Sequence, residues 1–413
     1  MSPSKLIIIT ILANIFEWYD YTLFSNFADV IGTKFFSHSS LNNSMINVFL
    51  LFAVGYILRP LGGILFGAMG DRVGRKNAFA ISVTLMGLPT FIIGLLPTYE
   101  IIGSWSTIII VILRMLQGIS MGGVLTTSIC FTVEHTNPKH QNFFSSISMA
   151  SICGGILLGS FSAYATRMLL SKANFLNWGW RIPFLISIIS ILIGLYIKKY
   201  AEETQTYKNL QNDGTNKSFS LLQIIKSNWS IIIASILINA TGSIIFYLQT
   251  AYLANYLKFQ GINAEIIDKN ASIAYLIMIP VTLISGFLTD LIGGKRILII
   301  LNVIIIVTII PALQLIDSKN IYSITLAMIF LGSIAAAYIS AEAALQANLY
   351  SPNIRNTALA ISYNTATTLF GSTAPLMCTK LTQTGSINWC GYYLIFFAFM
   401  SIISVIYVRS NRL

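Results

Sequence analysis

The stretch GDRVGRK at residues 70–76 lies between two long apolar runs, and TDLIGGKR at 289–296 repeats its pattern. Asp71 and Asp290 are 219 positions apart. A second pair of loops behaves in the same way. PKHQNFFSSIS (138–148) and PNIRNTALAIS (352–362) each open an apolar run, and their prolines are 214 positions apart. Pro, Asn, Ile and Ser recur at identical offsets within those two strings. Two loop types that return at nearly one interval point to a duplicated unit, so the chain is read as two copies of one helical body.

What those copies are made of follows from composition. Hydrophobic residues are 55% of the 413, charged residues only 9%, and the mean hydropathy is +0.75. A soluble chain carries about a quarter charged residues, so this one cannot cover a water-facing globule and is predicted to be an all-α integral membrane protein. A spanning helix needs about 20 mostly apolar residues. Twelve such spans can be placed, at 6–28, 46–69, 77–97, 104–128, 143–169, 180–200, 228–256, 271–292, 297–316, 321–345, 356–379 and 389–408. The polar stretch 201–227 divides them, giving an N-terminal six-helix bundle (1–200), a central loop (201–227) and a C-terminal six-helix bundle (228–413). Parallel repeats of this kind mark a large class of transporters.

The net charge of +11 is spread over short loops, with Arg72, Arg75 and Lys76 in one, Lys198, Lys199, Lys208, Lys217 and Lys226 in another, then Lys295 and Arg296, then Arg355. Such loops alternate with poorer ones, which by the positive-inside rule places both termini and the central loop in the cytoplasm. Nucleic-acid binding needs a continuous basic face and is not expected. Cys130, Cys153, Cys378 and Cys390 show no metal or disulfide spacing and are read as free thiols. His38, His135 and His140 lie in loops. No metal, cofactor or Walker-type phosphate loop is expected. The apolar N-terminal run lacks a small-residue cleavage site and contains Glu17 and Asp20, so it is read as a retained first span.

At family level the chain resembles the major facilitator superfamily, and more narrowly its metabolite:proton symporter family, which includes proline/glycine-betaine and dicarboxylate carriers. The stretches that carry the likeness are ANIFEWYDY in span 1, RPLGGILFGAMGDRVGRK from span 2 into its loop, RMLQGISMGG in span 4, WGWRIPF at span 6 and ISYNTATTLFGSTAPL in span 11. The resemblance implies a monomeric carrier in a bacterial cytoplasmic membrane. It also implies a small-molecule substrate, and protons as the coupling ion.

The intramembrane charges come next. Glu17 and Asp20, three apart, share one helix face, and a charged Asp at the bilayer centre costs about 2.5–3.5 kcal/mol. Burial favours the neutral form of a carboxyl group, so the pair is read as a proton-coupling or cation-recognition site in a central cavity, against a structural ion pair between helices. Asp29 is read as reaching water at the outer end of the span. Arg114 in span 4 cannot shed its proton and is expected to face Glu17 or Asp20, or a substrate carboxylate, for which a guanidinium is suited. Asn14 joins this group. Glu342 in span 10 is a second intramembrane carboxyl, in a water-lined cavity or near the cytoplasmic mouth. Tyr247, Tyr252, Tyr363 and Asn364 are candidate cavity residues, since tyrosine faces attract quaternary ammonium groups; packing is the alternative. The resemblance implies a cytoplasmic gate at Gly70, Asp71, Arg72, Gly74 and Arg75, with Asp290, Arg296 and Arg355. Asp71 can either cap the next helix or pair with a basic residue.

The chain departs from that family at several points. Val124 stands where a glutamate is usual, Gly294 and Gln141 where arginines are usual, and Asn348 where a glutamate is usual. No cytoplasmic coiled coil of the osmosensing type follows span 12 before Leu413, so regulation by that device is not expected. The function expected is proton-coupled symport of a small zwitterionic or anionic metabolite by alternating access. The alternatives are a carrier for another solute class, a non-transporting decayed paralogue, or a receptor. A membrane-embedded enzyme is disfavoured, because no acid/base or metal constellation is visible.

Overall fold

The computed structural model describes residues 3–36, 51, 54–212, 220–318, 320–383 and 385–410. His38, Lys217, Leu413 and positions 46–50, 52 and 53 of the second expected span lie outside the described residues, as does the side chain of Asp29. Every described regular element is helical. This is what lipid demands of a chain whose backbone polar groups must be satisfied within each span. Among the described residues, nine helical runs are long and apolar enough to cross a membrane.

The chain forms two compact units, residues 1–131 with 154–216, and residues 132–153 with 217–413. The first contains α1 (Pro3–Asn26), α2 (Ala28–Phe35), α3 (Arg59–Arg72), α4 (Arg75–Leu95) and most of α5 (Ser104–His135). It also holds the greater part of α6 (Gln141–Leu169), then α7 (Arg181–Ile186), α8 (Ile188–Tyr200) and the short α9 (Gln205–Asn212). Its core is aromatic at one end, where Phe24, Phe27, Phe35, Phe175, Trp180 and Phe184 are buried together. The WGWRIPF stretch has a structural task there. Trp180 is sealed in that cluster, while the Arg181 guanidinium donates to the Gly94 and Leu96 carbonyls at 2.8 and 2.7 Å. Those are orphan carbonyls at the end of α4, and a basic side chain satisfies them.

The GDRVGRK turn joins α3 to α4. Gly74 has φ 115°, a conformation open to glycine and costly for other residues. Gly293, 219 positions later, repeats the turn with φ 97°. Asp71 pairs with Arg75 at 3.3 Å, and Arg75 also donates to the Gly70 carbonyl at 2.9 Å. The α4 N-terminus is capped instead by Glu203, whose Oε1 accepts from the Arg75 and Lys76 backbone N–H groups at 3.1 and 3.2 Å. Tyr207 of α9 donates to the Arg72 carbonyl at 2.8 Å, and its ring lies 5.2 Å from the Arg75 guanidinium carbon. The first part of the expected central loop is thus a short helix latched onto this turn.

The second unit contains α10 (Leu221–Tyr247), a wide turn at Leu248–Tyr252, α11 (Leu253–Phe259), α12 (Ala264–Ile292), α13 (Gly294–Asp317) and α14 (Ile321–Asn348). α15 (Arg355–Ala366) follows, with a second wide turn at Thr367–Gly371, α16 (Ala374–Gln383) and α17 (Asn388–Ser410). A capping box starts α10: the Gln223 N–H donates to Ser220 Oγ at 3.2 Å, and the Ser220 N–H donates to Gln223 Oε1 at 2.9 Å. A polar node ties four helices. The Tyr338 hydroxyl donates to the Ile238 carbonyl at 3.0 Å and lies 2.7 Å from Ser401 Oγ, while Asn302 Nδ2 donates to that Oγ at 3.2 Å.

Residues 132–153, the end of α5 and the start of α6, belong to this second unit through specific contacts. Asp290 accepts from the Asn142 and Phe143 backbone N–H groups at 3.0 and 2.9 Å, placing a carboxylate on the positive end of α6. Glu134 and Arg355 form an ion pair at 3.2 Å. Asn348 Nδ2 donates to Gln141 Oε1 at 2.9 Å.

Candidate functional site

In the first unit the two carboxyls of α1 are buried. Asp20 is fully enclosed and accepts from Ser187 Oγ at 2.5 Å and from Ser190 Oγ at 3.1 Å, both from the α7–α8 junction. Glu17 is 3% exposed, and its Oε2 is buried without a hydrogen-bond partner. Such an acceptor costs about 1–3 kcal/mol when left unmet. Asn14, on the same helix, donates through Nδ2 to Ser128 Oγ of α5 at 3.0 Å.

Arg114 does not make the expected pair with either carboxylate. Its Nη1 donates to Gln117 Oε1 at 2.8 Å, and Gln117 Nε2 donates in turn to Thr90 Oγ1 of α4 at 2.6 Å. The guanidinium carbon lies 3.9 Å from the centroid of the Phe24 ring. Helical geometry explains this choice, because Gln117 is one turn further along α5 and its amide oxygen meets the arginine without desolvating a second charge. The cation that acts on Glu17 is Arg59, a buried residue at the start of α3. Its guanidinium carbon lies 5.7 Å from the Tyr56 ring centroid, and the Tyr56 hydroxyl meets that of Tyr21. The result is a group of two buried carboxyls, two buried guanidiniums and three aromatic rings, of which Phe24 is buried and Tyr21 and Tyr56 are half-buried. Guanidiniums bind carboxylates in a planar, two-point fashion, and aromatic faces attract alkylammonium groups.

Val124 lies in an apolar cluster with Ala13, Phe79, Val83, Phe131 and Ile197. The carboxylate missing at that position leaves no polar hole.

In the second unit Glu342 is 4% exposed. It is held between Asn239 of α10, whose Nδ2 donates to Oε1 at 3.1 Å, and Gln346 of its own helix, whose Nε2 donates to Oε2 at 3.3 Å. Ser235 Oγ donates to Gln346 Oε1 at 3.2 Å, and Ser243 Oγ donates to Asn239 Oδ1 at 3.0 Å. Tyr252 lies 2.6 Å from Thr382 Oγ1 and stacks on Tyr256 at 5.6 Å, so its hydroxyl is tied to α16. Tyr247 is buried with the aromatic edge of Phe246 against it. Asn364 Nδ2 donates to the Ala360 carbonyl of its own helix at 2.9 Å, and Tyr363 beside it is half-buried. The hydrogen bonds to the Glu342 carboxyl come from Asn239 and Gln346 and from none of these four.

Among the loop residues, Asp71 and Arg75 pair within the first unit, while Asp290 and Arg355 engage residues 134–143 within the second. Arg296 is exposed and joins none of these contacts.

Sequence reasoning missed Arg59, Gln117, Ser187, Ser190, Asn239 and Gln346. Arg59 had a signal, being an arginine inside the apolar string YILRPLGG. The serines had none, since serine in a membrane helix commonly bonds its own backbone.

Several comparisons bear on this arrangement. A family profile described as "Sugar (and other) transporter" matches residues 6–226. The chain is similar to the glycine betaine/proline/ectoine/pipecolic acid transporter OusA of Dickeya dadantii, 29% identical over 417 residues, covering 98% of this chain and 83% of that protein. It is similar to the proline/betaine transporter of Escherichia coli, 29% identical over 415 residues, covering 97% and 82%. A putative proline/betaine transporter of Staphylococcus aureus is 31% identical over 401 residues, covering 94% and 84%. In three dimensions the chain is like the major facilitator superfamily proton:xylose symporter XylE bound to 6-bromo-6-deoxy-D-glucose. The TM-score is 0.79 at 16% identity, covering 99% of this chain and 95% of that one. That likeness carries the fold, which is an all-α membrane protein of twelve spans in two six-helix bundles.

Proposed function

The chain belongs to the sugar (and other) transporter family of the major facilitator superfamily, and on that premise we propose that it carries a small zwitterionic or anionic metabolite of the proline/betaine kind together with protons, by alternating access. That it is a membrane transporter, and not an enzyme, follows from the family; the solute class and the coupling are our reading. The observation that carries this reading is the buried group of Glu17, Asp20, Arg59 and Arg114 with Tyr21, Tyr56 and Phe24. The names of the relatives support the substrate class.

In this reading Arg114, already poised by Gln117 and Phe24, receives the substrate carboxylate, and Arg59 offsets Glu17. Glu17 is the proton carrier in this assignment: it is a buried carboxyl on the cavity helix, and the Arg59 guanidinium acts on it. Asp20, held by two serine hydroxyls, sets the position of α1 against the α7–α8 junction. A bound proton biases the conformational equilibrium only if the two access states bind it with different affinity. A zwitterion carried with one proton moves one positive charge, worth about 2.3 kcal/mol per 100 mV. The GDRVGRK turn of the first unit, with Gly70, Asp71, Arg72, Gly74 and Arg75, is assigned as one gating element on the cytoplasmic side, and Asp290, Arg355 and the exposed Arg296 as those of the second unit. The protein works as a monomer in a bacterial cytoplasmic membrane with both termini inside.

The experiment is uptake of labelled proline, glycine betaine and 2-oxoglutarate by proteoliposomes under an imposed inward proton gradient, with E17Q and D20N run beside the parent. Gradient-driven accumulation that E17Q abolishes supports the assignment. Accumulation that persists unchanged in E17Q removes the carrier role from Glu17.

A further inference from the structure

Each repeat ties its opening helix to a later one through an asparagine amide, and the acceptors differ in chemistry. In the first, Asn14 on the opening helix donates its amide to Ser128 of α5 at 3.0 Å. In the second, Asn239 on α10, the opening helix of that repeat, donates its amide to Glu342 of α14 at 3.1 Å. Ser128 and Glu342 are 214 positions apart, the interval that separates Pro138 from Pro352. A hydroxyl therefore suffices to hold this amide, as Ser128 does. At the same place the second repeat carries a carboxyl, which is far more expensive to bury, so the bridge alone does not account for it.

The surroundings of Glu342 narrow what the carboxyl is for. Both oxygens face amide N–H groups, from Asn239 and Gln346. The titratable side chains of the elements packed on α14 include Lys226 of α10, Asp268, Lys269, Tyr275 and Asp290 of α12, and Lys295, Arg296 and Asp317 of α13. Tyr247 at the end of α10, Arg355 and Tyr363 of α15 and Tyr252 of the wide turn belong to the same set. Among the described residues none of these hydrogen-bonds or pairs with Glu342, and the titratable group that faces it is Tyr338, a turn away on α14. Glu342 is thus not half of an ion pair. Backbone crowds it as well. A Cβ on Gly242 of α10 would lie 2.9 and 3.0 Å from its two carboxyl oxygens, so that glycine makes the socket.

We propose that Glu342, in the socket formed by Asn239, Gln346 and Gly242, is a proton-binding site of the second repeat, separate from the Glu17 group of the first. Its carboxylate takes a proton from water when the α10–α14 contact opens, and returns it when the opposite side opens. This deepens the symport reading and rests on it for its role in transport. Proton binding itself is measurable without transport.

The test is infrared difference spectroscopy on the full-length protein in lipid, with pH stepped across neutrality in sodium-free and sodium-containing buffer and no substrate. The expected result is a protonated-carboxyl band that titrates in the parent, in E17Q and in D20N but is lost in E342Q, whose amide keeps the socket's shape. G242A is the second variant, which separates loss of the proton site from misfolding of E342Q. It retains the carboxyl and crowds it, so the band is expected to persist at a shifted frequency and midpoint. A titrating spectrum in E342Q identical to the parent's overturns the proposal, as does a band in G242A unchanged in both frequency and midpoint. A Glu342 band that responds to sodium and not to pH overturns it in favour of a cation site. Failure of proton-driven uptake alone refutes the symport reading and leaves this titration standing.

Discussion

Removing Arg355 tests whether the contacts of residues 132–153 carry energy or merely fill space. The Glu134 side chain is 0% exposed and that of Arg355 is 12% exposed, with 3.2 Å between Nη1 and Oε1. At an effective dielectric of about 20, two unit charges that close attract by about 5 kcal/mol. The desolvation of both groups opposes that sum, so the intact pair is worth much less than this. R355Q, however, strands the glutamate, and an unpaired buried charge costs about 3–5 kcal/mol. For a body of 150–250 residues each kcal/mol corresponds to roughly 2–4 °C, so R355Q is expected to unfold roughly 10 °C below the parent. E134Q leaves a partly solvated arginine and costs less, and E134Q/R355Q recovers most of the loss. The four buried cysteines supply the assay, since a thiol-reactive fluorogenic dye reports unfolding of detergent-solubilised protein as each thiol is uncovered. Melting of R355Q within 2 °C of the parent, taken as the scale of about 1 kcal/mol, refutes the argument. So does a double variant as unstable as the sum of the singles.

The neighbouring couple behaves differently. Gln141 and Asn348 meet at an exposed site, where an ion pair is worth about 0–1 kcal/mol, so Q141R/N348E is expected to melt within a few degrees of the parent in the same dye assay. Val124→Glu, which puts back the carboxylate usual in the resembled family, inserts a charge into the apolar cluster of Phe79, Val83 and Phe131. A loss of about 3–5 kcal/mol is expected, read as failure to accumulate in the membrane fraction on a blot. Gly74→Ala forces a Cβ onto a residue at φ 115° and into the Glu203 carboxylate, whereas Gly293→Ala at φ 97° meets no atom within 4 Å. Backbone strain costs about 1–3 kcal/mol at either site, so the Gly74 variant is expected to melt well below the Gly293 variant; equal melting temperatures would remove the Glu203 cap from the account.

What was legible in the sequence was whatever repeats or excludes water. The interval between Asp71 and Asp290 announced the duplication, and the two glycines at matching positions do adopt the same rare backbone. Apolar run lengths placed the spans, yet they hid the breaks: spans 7 and 11 are each interrupted by a wide turn, at Leu248–Tyr252 and Thr367–Gly371, because hydropathy is blind to hydrogen-bond register. Side-chain partners were the least legible. Arg114 was expected to seek a carboxylate, but a helix offers an amide one turn away at no cost in desolvated charge, and the arginine that does act on Glu17 comes from a different helix. Glu203 was invisible as a cap because it arrives from 128 positions away.

The same reasoning turns the departures from the resembled family into an argument about design. Gln141 and Asn348 each lack the charge expected there, and taken singly each reads as decay. Together they form one hydrogen bond at 2.9 Å, the outcome expected if an ion pair were replaced as a unit, because changing one partner alone would leave a lone charge or a lone amide. Val124 fits the same account, since the apolar residues around it have closed over the place of the lost carboxylate. At neither site is a polar partner left stranded: Gln141 and Asn348 satisfy each other, and Val124 is surrounded by apolar side chains. The charges that remain, at Glu134, Arg355 and Asp290, are the ones with buried or helix-terminal counterparts, where loss is costliest. Charge is thus present where its loss would cost most and absent where it would contribute little, which is the pattern that folding stability requires.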